Sequence, residues 1–143
     1  MRKRTPRQVR DPMACVTQRM PLTDDQQRDL CIAYRIQLQA MLRGSGTEET
    51  WNTLTCSLNI ALILCEQGIG ANAIQTIQLA QEALLACRER ARRLSRWAFS
   101  GDEARMVMSA CSIHDEQLEF ATRAQVVSAL TEVHRRIEIG ETV

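Results

Sequence analysis

The only imidazoles in the chain are His114 and His134, and the carboxylates closest to them in sequence are Asp115, Glu116 and Glu132. These five side chains are the one set able to hold a metal ion or exchange a proton near neutral pH, where only histidine titrates unperturbed. The two histidines fall on different expected helices, so no local spacing holds them together. A packed or hydrogen-bonded His114 is therefore the expected state. The six cysteines, Cys15, Cys31, Cys56, Cys65, Cys87 and Cys111, contain no C-x-x-C pair and no Cys/His spacing suited to zinc. Cys87, beside Arg88, is the one thiol with a cationic neighbour and so the one redox candidate. The others read as small hydrophobes in a reduced, cytoplasmic protein. The chain has no phosphate-cradling glycine loop, no Ser/His/Asp motif and no H-E-x-x-H. The expectation is a non-catalytic protein with no cofactor and no metal.

Charge offers a second route to function. Arg88, Arg90, Arg92, Arg93 and Arg96 crowd the end of one expected helix against the single acid Glu89. They are candidates for contact with nucleic acid or an acidic partner, and they also complement the negative end of a helix dipole. Arg2, Lys3, Arg4, Arg7 and Arg10 form a second cationic group at the start of the chain. Because the net charge is only +1, that arm is joined to a mildly acidic body. Asp24, Asp25, Asp29, Glu48 and Glu49 surround the first two expected helix starts. These five are candidates for binding a partner, for instance by opposing a basic nucleic-acid channel on a target, although capping alone also explains them. Tyr34, Trp51, Trp97, Phe99 and Phe120 are the only aromatics, too few and too scattered to stack the bases of a single strand.

The segment Ile60 to Ile77 has the outline of a helix-turn-helix, with Gly68 at the turn and Ile69, Ile74 and Ile77 at packing positions. A DNA-reading helix needs cations close to phosphate. No Lys or Arg occurs between Arg43 and Arg88. The segment therefore predicts two helices meeting at a glycine turn inside a core.

The elements that must position these residues are helical. At 143 residues the chain is about one domain long, and its apolar 45% contains only 3% aromatics, a composition suited to helix-on-helix packing. Pro6, Pro12 and Pro21 all precede the first periodic segment, so residues 1–22 are expected to form a disordered or extended basic arm and residues 23–143 a single helical domain. The first helix starts at Thr23 with Gln26 as capping-box partner, carries Leu30, Ala33, Tyr34, Leu38, Met41 and Leu42, and ends at Gly44. The second starts at Thr47, is apolar on nearly every side from Trp51 to Cys65, and belongs at the centre. A third spans about Ala71 to Trp97. The fourth opens on the Ser100/Glu103 capping box. The fifth opens on Thr122/Gln125, presents Val126, Val127, Leu130, Val133 and Ile137, and stops near Gly140. Agreement of caps, charges and period at all five starts predicts an all-α, single-domain bundle of about five helices with antiparallel neighbours. The basic start is not followed by the apolar run of a signal peptide, and no stretch of 18 apolar residues marks a membrane span.

The start "RDPMACV", the middle "TWNTLTCSLNIALILCEQGIG" and the end "IHDEQLEFATRAQVVSALTEVHRRI" together resemble small helical prophage- and mobile-element-borne proteins of proteobacteria, some of them labelled Fis-like regulators. The resemblance covers most of the chain after residue 10, implies a phage or mobile-element origin and carries over no functional residue. The leading expectation is an accessory protein that binds and modulates a host protein or ribonucleoprotein complex, as an anti-defence, anti-CRISPR-like inhibitor does. A DNA-binding regulator using the arm and Arg88 to Arg96 is the alternative. A self-associating helical protein anchored by Trp51 and Tyr34 is the third reading.

Overall fold

The structure, a computed structural model, describes residues 19–141. Among the described residues five α-helices carry the fold: α1 (Asp24–Leu42), α2 (Glu48–Glu66), α3 (Ile74–Leu94), α4 (Gly101–Phe120) and α5 (Arg123–Glu138). The described residues form no strand, only two isolated antiparallel bridges, Pro21 with Thr122 and Gly46 with Trp97. The all-α bundle expected from composition and periodicity is the fold that forms.

Local chemistry sets most of the helix ends. Thr23/Gln26, Ser100/Glu103 and Thr122/Gln125 each close a reciprocal capping box, and the Thr47 hydroxyl accepts from the Thr50 amide. Such a cap is worth about 1 kcal/mol. At the other ends Gly44, Gly68 and Gly140 adopt positive φ, letting the amides of Ser45, Ile69 and Glu141 reach back to the carbonyls of Ala40, Leu64 and Arg136.

The third helix departs from expectation at both ends. A 3-10 turn, Ala71–Ala73, leads into α3 from Gly70 at φ 74°, and no side chain caps either element. At the far end α3 stops at Leu94 rather than Trp97, because Ser95 turns left-handed and sends Trp97 back against Trp51, ring centroids 5.9 Å apart.

α2 is the central helix and packs on α1, α3, α4 and α5. Leu54, Leu58, Ala61 and Leu64 are fully buried on it. α2 and α3 touch along their whole length: Trp51 Nε1 donates to the Leu84 carbonyl (2.8 Å), Gln81 to Asn59 Oδ1 (2.8 Å), and the Cys65 thiol reaches the Gly70 carbonyl (3.2 Å). They form an antiparallel hairpin, not the crossed pair of a DNA-reading motif. α5 lies over the C-terminal half of α2, where Ala129 and Val133 meet Ile63 and Leu64.

Two expected stripes are narrower than the sequence implies. On α1, Leu30 and Ala33 are exposed while Tyr34, Leu38 and Met41 are buried, and on α5 only Ala129 and Val133 are buried while Val127, Leu130 and Ile137 face outward. The arm also ends sooner than residue 22, since Leu22 is buried with its amide on the Ala121 carbonyl. Residues 1–18 lie outside the described residues.

Candidate functional site

The histidine–carboxylate set is dispersed. His114 is buried with its ring 5.3 Å from that of Tyr34, and its Nδ1 donates to Gln117 Oε1 (3.1 Å). Burial pushes its pKa down, outweighing the bond to Gln117. Gln117 passes the contact on, donating to the carbonyls of Ile69 (2.8 Å) and Ala61 (3.0 Å), so the pair pins α4 to the α2–α3 turn. Asp115 turns the other way, accepting from the Tyr34 hydroxyl and pairing with Arg35. Burial works against its charge, but those two donors hold its carboxyl below the usual range. Glu132 is held at about 2 by Arg135 and Arg136. His134 and Glu116 are exposed on separate helices. His114 and Asp115 fasten helices together, and the set converges on no common point.

The redox candidate is also turned inward. The Cys87 thiol is buried and donates to the Ala98 carbonyl (3.4 Å), while Arg88 turns away and lies over the Trp51 ring, 5.1 Å from its centroid. Burial pushes Cys87 up to about 11 and Cys111 up to about 12, the reverse of an activated thiolate. The five described cysteines are free thiols.

The arginine run splits between interior and surface. Arg90 makes a two-pronged contact with Glu103 (2.7 and 2.6 Å) and a third bond to the Ala98 carbonyl (2.8 Å), which locks the end of α3 to the start of α4. Arg92, Arg93 and Arg96 face solvent, and Arg43 at the end of α1 is exposed at the same end of the bundle. Glu48, Glu49 and the Asp102–Arg105 pair stand at that end too, so its charge is mixed. Arg2, Lys3, Arg4, Arg7 and Arg10 lie outside the described residues.

The five acidic candidates do not form one surface. α1 and α2 are antiparallel neighbours joined by a short turn, which places Asp24, Asp25 and Asp29 at one end and Glu48 and Glu49 at the other. A helix the length of α1 separates the ends by about 28 Å. Trp51 and Tyr34 are both buried, so they anchor the core and not an interface. Asn72 and Gln75 point outward at the start of the α2–α3 hairpin's second limb. The depression beside Asn72 is lined by Ile69, Ile113, Glu116 and Phe120, with a carboxylate and no cation.

One surface emerges that the charges alone did not mark. On the outer side of α1, Ile32 and Ile36 are 47% and 59% exposed one helical turn apart. With Arg35, Gln39, Ala40 and Arg43 they line a depression of about 440 Å³. Asp25 and Asp29 continue the same side toward the N-terminus. The signal was present as a second i, i+4 apolar pair out of phase with Tyr34 and Leu38. No protein-family model, curated protein or solved structure matches this chain.

Proposed function

We propose that this protein is a non-catalytic accessory factor of a phage or mobile element that docks on a host protein or ribonucleoprotein complex in the cytoplasm and modulates it, an anti-defence inhibitor being the specific form. The observation that carries the reading is the outer face of α1. Large apolar side chains held rigidly toward water cost free energy unless a partner covers them. Here Ile32 and Ile36 stand between Asp25 and Asp29 on one side and Arg43 on the other. An apolar centre with a charged rim is the anatomy of a protein contact. The partner fitting it is an amphipathic segment whose polar rim carries cations opposite the aspartates and an acid opposite Arg43.

The test is affinity capture from host lysate with the full chain and with Ile32→Glu/Ile36→Glu. Both residues are exposed, so the variant should unfold within about 1 kcal/mol of the parent. The expected result is one complex captured by the parent and lost by the variant. Equal capture by both proteins would refute the reading.

A second reading rests on a different observation, the convergence of Arg43, Arg92, Arg93 and Arg96 at one end of the bundle. A DNA-binding regulator using that end predicts duplex affinity that falls steeply with salt. A gel-shift titration at two ionic strengths, with Arg93→Ala/Arg96→Ala as the variant, distinguishes it. Arg90 is unsuited to that test because its loss leaves Glu103 buried and unpaired.

A further inference from the structure

The apolar stripe of α5 is wider than the helix that covers it. α2 takes the side bearing Ala129 and Val133, both buried against Ile63 and Leu64. One step round the helix, Val127, Leu130 and Ile137 stand 54%, 37% and 53% exposed. Together with His134 they repeat at alternating three- and four-residue spacing, the pattern of a helix-packing seam. α5 thus carries two adjacent seams, of which the described residues fill one.

The ends of the open seam are opposite in charge. Arg123 stands at its N-terminal end beside Val126 and Val127, in a groove that Asp29 and Leu30 of α1 also line, and Glu138 and Glu141 follow Ile137 at the other. Arg123, Glu138 and Glu141 make no ion pair among the described residues. A face that runs from cation to carboxylates repels a parallel copy of itself and complements an antiparallel one.

We infer that α5 is the contact of a two-fold homodimer, in which two copies pack antiparallel along Val127, Leu130, His134 and Ile137. In that register Val127 meets the partner subunit's Ile137, Leu130 meets the partner subunit's His134, and Arg123 reaches the partner's Glu138 and the partner's Glu141. The interface is isologous, so it closes on itself and ends at two subunits. Ile32 and Ile36 of α1 line a separate depression and stay outside it, whereas Asp29 borders it.

Sedimentation and light scattering of the full chain across micromolar to millimolar concentration test this. The parent is expected to be a dimer, and Leu130→Glu to raise the dimer Kd at least about 100-fold with unchanged helical content. Arg123→Glu is expected to weaken the dimer about tenfold, and adding Glu138→Arg and Glu141→Arg to restore it. These reversals also suit the dipole of α5, so the charge series stays informative if Leu130→Glu fails to fold. A parent that is monomeric throughout would overturn the inference. So would a dimer indifferent to Leu130→Glu, one whose charge reversal is not rescued, or one that dissociates only on removal of residues 1–18.

Discussion

At the scale of single residues, His114, Asp115 and Cys87, which looked chemically able, are spent on holding elements of the fold to one another. His114 shows this most clearly, since its imidazole orients Gln117 through Nδ1 and is buried out of reach of a substrate arriving from solvent. Its depressed pKa has a consequence for stability. As pH falls below about 6.5 the unfolded chain takes up a proton that folded His114 refuses, so stability declines by up to about 1.4 kcal/mol per pH unit. Urea unfolding at pH 8, 6 and 5 should therefore show a loss that starts above the carboxylate range, and His114→Gln should flatten it. An unchanged slope in that variant would remove the buried-histidine account. Glu103 governs the next stage. The Arg90 guanidinium beside it holds its carboxyl low, so its contribution is complete above the usual carboxylate pKa and is lost as pH drops through the folded value.

At the scale of elements, the turn between α2 and α3 depends on backbone more than on side chains. Gly70 sits at φ 74°, and a Cβ placed there would meet only ordinary contacts 3.5 Å away on Gln117. The cost of Gly70→Ala is then conformational, about 1 kcal/mol, or a drop of about 3 °C in Tm. A larger loss with displaced α4 resonances would mean that the Gln117 contact is tighter than the geometry shows. What could be read from sequence follows the same division between local and distant causes. Thr23/Gln26, Ser100/Glu103 and Thr122/Gln125 were legible because a capping box is complete within four residues. The start of α3 was not, because Gly70 and a 3-10 turn replace the expected cap. Its end was not, because the Trp97–Trp51 contact that stops it crosses from another helix. Arg90 and Glu103 lie too far apart in sequence for their pairing to show. Periodicity revealed that α5 has an apolar side but not how much of it α2 covers, which is why Val127, Leu130 and Ile137 were expected inside.

For the molecule as a whole, topology decides which charges act together. The antiparallel run of α1 and α2 sets the aspartates of one apart from the glutamates of the other. The chain enters the described fold at Arg19, by the start of α5, at the end of the bundle opposite Arg43, Arg92, Arg93 and Arg96. No helix among the described residues is long and apolar enough to cross a membrane. What is left for recognition is a set of separate faces on the bundle, with the α2–α3 hairpin as its interior strut and the outer side of α1 as the docking edge we propose. A photocrosslinking amino acid placed at Ile36, and separately at Gln75, in the full chain inside bacterial cells tests that division directly. The expected result is a discrete protein adduct from Ile36 and no nucleic-acid adduct from Gln75. Crosslinking of Gln75 to DNA, with Ile36 silent, would contradict it.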